Sequence, residues 1–175
     1  IEDPKTEAAT LMLEAEMMIE ARRFDAALIS LERLQASQGR RIPALRLELR
    51  ARQGVGDWDG VLKLARQLVK RDALAVEVVH EIRTQAHLAN IARLAHDRAV
   101  LTPYLRAIPA EERDGRVALA AAKALVAAGA ELEAQKLIET VLDFSSRDTW
   151  MPALVAIYGR LLSGDQTARI AKAEG

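Results

Sequence analysis

The 175-residue sequence contains no cysteine. That excludes disulfides, Cys-ligated zinc, iron–sulfur clusters and cysteine nucleophiles, and leaves the redox compartment open. Aromatic residues make up only 3% of the chain, and there are five prolines. Neither sign of charge is in excess, with 25 basic and 25 acidic side chains. A nucleic-acid binder carries surplus cations to neutralise phosphates, so nucleic acid is not an expected partner. No run of 18 apolar residues occurs and no signal peptide opens the chain, so no membrane span is expected within it. Zinc-protease, nucleophile-elbow and Walker motifs are absent. The stretch Gly54-Val55-Gly56-Asp57-Trp58-Asp59 carries Asp where a dinucleotide fingerprint needs its third Gly. It also joins two helical patterns instead of a strand and a helix, so it does not cradle a phosphate.

What remains is a chain that is half hydrophobic, with Ala and Leu together near one third of all residues. These are the strongest helix formers, and with few β-branched or aromatic residues the expected class is all-α. Helical patterns run from Pro4 to Ala21 after an Asp3 N-cap, from Phe24 to Ser37, from Pro43 to Gln53 with an end at Gly54, and from Asp57 to Lys70. Links this short make consecutive helices antiparallel neighbours. The pairs repeat. Phe24 and Trp58, Ala27 and Val61, Leu31 and Ala65, Leu34 and Leu68, Leu11 and Leu45, and Ala15 and Leu49 are each 34 residues apart. A long helix is expected over 75–96, and a short one over 102–107 with Pro103 in its first turn. The pattern then returns, with Ala134 in the place of Ala27.

A 34-residue helix–turn–helix unit of this kind resembles the tetratricopeptide repeat. The resemblance implies a right-handed all-α solenoid of antiparallel helix pairs, one repeat domain over 1–175, with units near 8–41, 42–74, 75–114, 115–148 and a truncated 149–175. Ala15, Ala27, Ala122 and Ala134 meet the family's small positions, where helix axes approach closely. Leu49 and Val61 depart from it, and the closing prolines are missing. Phe24 and Trp58 read as core wedges, and Tyr104 and Tyr158 as packing residues between units.

The runs ARRFDAALISLERL, IPALRLELRARQGVGDWDGVLKLARQL and LTPYLRAIP, with the W-x-P-A-L-V-x-x-Y-G run at Trp150–Gly159, resemble the C-terminal repeat domain of the proteobacterial HemY family. That resemblance implies a non-catalytic scaffold associated with late haem biosynthesis. Its partners would be proteins, haem-biosynthesis enzymes among them. It also implies an inner-membrane anchor preceding the repeat domain, with the domain on the cytoplasmic face. The chain opens on Ile1 instead of Met, and reads as a piece of a longer protein whose anchor lies before it. A peptide-binding adaptor or cochaperone-like module would look almost the same in sequence, and a haem or porphyrin carrier is a further alternative.

Two sets of candidate site residues follow. Arg40, Arg41, Arg46, Arg50 and Arg52 cluster within 13 residues. With the unit registered at Ile42, Arg46 and Arg50 take the fifth and ninth positions, which line the concave groove in tetratricopeptide proteins. Met12 and Glu16 hold the same positions in the preceding unit. Two readings stay open: a groove that grips carboxylates of a partner, or local pairing of Arg50 with Glu16. Met17 and Met18 read as core filling. His80 and His87, seven residues apart, fall on one helix face. Given the pathway that the resemblance implies, either could ligate haem iron; the alternative is two ordinary, partly exposed histidines. The two histidines cannot jointly bind one zinc, because ligands on a single helix need spacing near i, i+4; no other cofactor and no metal is expected.

Overall fold

The computed structural model describes residues 3–144 and 151–173, so Trp150 of the family-like run lies outside it. Among the described residues every regular element is helical. The chain divides into two compact units, Ile1–Ala86 and His87–Gly175.

The first unit holds α1 (Pro4–Glu20), α2 (Phe24–Gln38), α3 (Ile42–Val55), α4 (Trp58–Lys70) and the opening turns of α5 (Val76–Leu94). Helix α1 begins where the sequence places it: Asp3 accepts a hydrogen bond from the Lys5 N–H. Helix α1 packs on α2, α2 on α3 and α3 on α4, and α1 also touches α3. Ala15 and Ala27 are fully buried at the first of these contacts, beside Leu31 and Leu34. Leu49 and Val61, in the same register one repeat on, are buried with Leu45, Leu62 and Leu68. Phe24 and Trp58 are half-buried, each packed against the core of its own hairpin.

The second unit holds the rest of α5, α6 (Arg98–Ala107), a 3-10 turn (Ala110–Glu112), α7 (Gly115–Ala127), α8 (Glu131–Phe144) and α9 (Pro152–Ala173). Here α7 packs on α8, and α9 packs on both, as α3 does on α1 and α2. Ala118, Ala122, Ala134 and Ile138 are buried at the register of Leu45, Leu49, Val61 and Ala65, each 73 residues later.

The helix ends repeat as well as the cores. The first helix of three hairpins ends on a left-handed residue, at Arg22 (φ 58°), Gly56 (φ 74°) and Gly129 (φ 70°). These positions are again 34 and 73 apart. In each, the following N–H returns to a carbonyl five residues back: Arg23 to Met18 at 2.7 Å, Asp57 to Arg52 at 3.0 Å and Ala130 to Leu125 at 2.8 Å. This six-to-one closure satisfies the carbonyls a helix end leaves open and turns the chain sharply. It explains why the links between paired helices are short.

Three expectations need correction. Gly54 does not end α3; the helix runs on to Val55 and Gly56 takes the left-handed position. Gly54 serves close approach instead, because a Cβ there would overlap the Phe24 ring. Pro103 lies inside α6 and not in its first turn, since Asp97 caps the helix earlier by accepting from Ala99 N–H at 2.9 Å. Burial of Leu101 and Leu105 holds α6 across the hydrogen bond that Pro103 cannot donate. The last segment forms one continuous helix, α9, instead of a helix pair.

Candidate functional site

Helix α3 presents its cations to two surroundings. On one side, Arg46 and Arg50 are both exposed. The Arg46 Nη2 donates to the Ala73 carbonyl at 2.5 Å, just beyond α4. The Arg50 Nη2 donates to Glu20 Oε1 at 3.0 Å. The acid that Arg50 meets is therefore Glu20 and not Glu16, one helical turn earlier on α1, which is also exposed. Arg50 and Glu20 keep 53% and 75% of their side-chain surface, so the pair is solvated and contributes little to stability. Each guanidinium has five N–H donors and spends only part of them here. Met12 is not gathered with these arginines. It lines a separate cavity of about 210 Å³ with Ala8, Leu34, Arg41 and Pro43. Met17, expected in the core, is 63% exposed, while Met18 packs inside.

On the other side of α3, Arg40 and Arg52 converge on Glu48, which sits among buried leucines and alanines. Arg52 Nε donates to Glu48 Oε1 at 2.8 Å, Gln35 Nε2 donates to Oε2 at 2.7 Å, and Arg40 reaches Oε2 at 3.5 Å. Arg52 also bridges to Asp57, whose other oxygen accepts from Gly60 N–H at 3.0 Å and caps α4. Desolvation alone would raise the Asp57 pKa, but the Gly60 N–H and the Arg52 guanidinium outweigh it and hold the carboxyl below its ordinary range. Burial likewise opposes the Arg52 charge, and Glu48 and Asp57 overcome it. The five-arginine cluster is thus split: one part is outward-facing, the other neutralises a buried acid.

The two histidines of α5 have different environments. His80 is exposed. His87 is 1% exposed and has both ring nitrogens engaged, Nδ1 with the Tyr104 hydroxyl at 2.8 Å and Nε2 with Glu112 Oε2 at 2.9 Å. A metal needs an imidazole lone pair, and in this arrangement His87 offers none. The reading of two partly exposed histidines fails for His87 as well. Asn90 Nδ2 donates to the same Tyr104 oxygen at 3.0 Å, and Arg93 Nη2 donates to Asn90 Oδ1 at 3.0 Å. One proton arrangement satisfies these contacts in a single direction: Asn90 N–H to Tyr104 oxygen, Tyr104 O–H to Nδ1, and Nε2–H to Glu112 Oε2. That tautomer is assigned from the bonding pattern.

Tyr104, Asn90 and Glu112 were not singled out as partners of His87 in sequence. A signal for a buried polar seam does exist: Thr84, His87 and Asn90, spaced three apart on α5, are each about 1% exposed. Tyr158 packs against Leu154 and Ile157 and donates to Glu139 at 3.1 Å. No helix among the described residues is long and apolar enough to cross a membrane. Neither family models, curated proteins nor solved structures give a match to this chain.

Proposed function

We propose that this chain is a tetratricopeptide-like solenoid that acts as a non-catalytic interaction scaffold, the repeat domain of a HemY-type protein tied to late haem biosynthesis. The observation that carries the repeat reading is the shared register of two independent features. Buried contact residues recur at Ala15, Leu49 and Ala122, and left-handed helix ends recur at Arg22, Gly56 and Gly129. Helix pairs built this way bury one face against their neighbours and leave the other for partners. The haem pathway, the inner-membrane anchor and the cytoplasmic orientation rest on the sequence resemblance alone. On the partner face, Arg46 and Arg50 have N–H donors to spare for an acidic segment. The carrier reading is disfavoured at His87, whose ring nitrogens are both taken.

The test is capture of partners by the anchored full-length protein from a haem-synthesising bacterium. Enzymes of porphyrin metabolism should be enriched over an anchor-only control. The Arg46→Ala, Arg50→Ala double variant should bind them about tenfold more weakly, the loss of one to two charged hydrogen bonds. Enrichment no greater than the control would refute the pathway assignment. Undiminished binding by the folded double variant would remove the arginines from the interface.

A further inference from the structure

The second unit holds a cleft that neither the haem reading nor the arginine face of α3 uses. Its volume is about 180 Å³, and α6, the segment after the 3-10 turn, α7 and α8 line it. Its polar lining is Thr102, Arg106, Arg113, Glu133, Lys136 and Thr140, over a wall of three leucines. The volume is below the usual range for a drug-sized ligand and suits a small group or one arm of a larger molecule.

The charges in the cleft are unbalanced. Glu133 is the one acid in the lining, and it is already answered from outside the cleft: Arg98 Nη2 donates to its Oε1 at 2.8 Å. The Arg98 hydrogen bond, with Arg106 adding to the field, holds the Glu133 carboxyl below its ordinary range. Arg106 and Lys136 have no side-chain ion pair among the described residues, although both face the cleft. Arg113 is held in place by the Leu105 and Arg106 carbonyls, each accepting from its Nη2 at 3.3 Å. Its Nε is buried with no hydrogen-bond partner, and so is the Thr102 hydroxyl. Buried donors left open cost free energy, and folded proteins leave few of them. Two such donors in the lining of one cleft, beside two unpaired cations, are unexplained by packing.

We propose that this cleft binds a phosphate group, free or as the phosphoryl end of a larger ligand, with Arg106, Arg113 and Lys136 as its cationic grip. Three cations against one acid that is already paired suit a dianion better than a single carboxylate. Guanidinium groups match phosphate oxygens two at a time. An oxygen at the base of the cleft supplies the acceptor that Thr102 and Arg113 lack. The leucine wall keeps the local dielectric low and strengthens each contact.

The test is titration of the protein with inorganic phosphate at constant ionic strength, followed by calorimetry and by amide chemical shifts. Saturable 1:1 binding is expected, with shifts centred on Thr102, Arg106, Arg113 and Lys136. Removing two charged contacts in the Arg106→Gln, Lys136→Gln variant should weaken it about tenfold or more. The charge-matched Arg33→Gln, Lys70→Gln variant on α2 and α4 should leave it unchanged. A phosphomonoester that binds tighter than phosphate would identify the larger ligand; equal binding would point to the free ion. The proposal is overturned if phosphate does not saturate, if acetate binds as tightly, or if both variants lose affinity alike. Should the first variant be misfolded, shifts centred elsewhere in the unaltered protein would overturn it equally.

Discussion

Replacing His87 tests the buried chain that runs from Asn90 to Glu112. His87→Ala removes two hydrogen bonds from a side chain that is 1% exposed. It leaves Glu112, itself 4% exposed, without the Nε2–H donor. Breaking a buried ionic or hydrogen-bonded pair from one side costs about 3–5 kcal/mol, since the remaining group keeps its desolvation penalty. Tyr104→Phe removes the hydroxyl that meets both Nδ1 and the Asn90 amide. Tyr104 is only half-buried, so water reaches part of the gap and about 1–3 kcal/mol is expected. Glu112→Gln keeps an oxygen for Nε2–H and should cost least, about 1 kcal/mol. Urea unfolding followed by circular dichroism gives the three values, with the slope of each transition checked for constancy. The nitrogen chemical shifts of His87 should report a proton on Nε2. A cost below about 1 kcal/mol for His87→Ala, or a proton on Nδ1 alone, would refute the one-directional chain.

The same glycine-to-alanine change should have opposite signs at two helical sites. Gly54→Ala drives a methyl into the Phe24 ring and should destabilise by about 1–3 kcal/mol, whereas Gly159→Ala, with open space around it, should stabilise by about 0.5–1 kcal/mol in the same melt. Arg22→Gly should raise stability by about 0.5–1 kcal/mol, because its φ of 58° is one that glycine adopts freely and arginine does not; a drop would show that the side chain outweighs the backbone. The Asp57 carboxyl is held below its ordinary value of 3.8 in the fold, so the unfolded chain binds the proton first as pH falls. The stability it contributes is present above pH 4 or so and fades as pH drops through the folded value. Asp57→Asn should flatten that acid limb of a pH series, and an unchanged limb would assign it to other groups.

The helix pairs were legible because their determinants are local. Ala and Leu at helical spacing, an Asp before α1 and another before α4, and a repeat of buried positions act within a turn or two of the chain. The end of α3 escapes a local reading for the same reason. Gly54 looks like a stop by itself, and only the Phe24 ring, 30 residues earlier, explains why glycine sits inside the helix. The missing N–H of Pro103 points by itself to a helix start, while the Asp97 cap and the buried leucines on either side extend α6 around it.

The candidate site divides along the same line. That Arg46 and Arg50 share one face of α3 follows from i, i+4 spacing alone. That Arg50 meets Glu20 depends on how far α1 extends beside α3, which no local pattern encodes. Glu48 gave a readable signal, an acid inside an apolar stripe with Arg52 four residues on, although Gln35 comes from another helix. The His87 pairing had none at its own spacing, since Glu112 lies 25 residues away. By itself the sequence determined which segments are helical and which residues form the contacts within the first two helix pairs, because those depend on backbone propensity and short-range burial. The tertiary structure alone decided which polar groups from different helices meet, as Gln35 with Glu48 and His87 with Glu112 do, because a hydrogen bond between distant residues exists only when packing sets two helices to within a few tenths of an ångström.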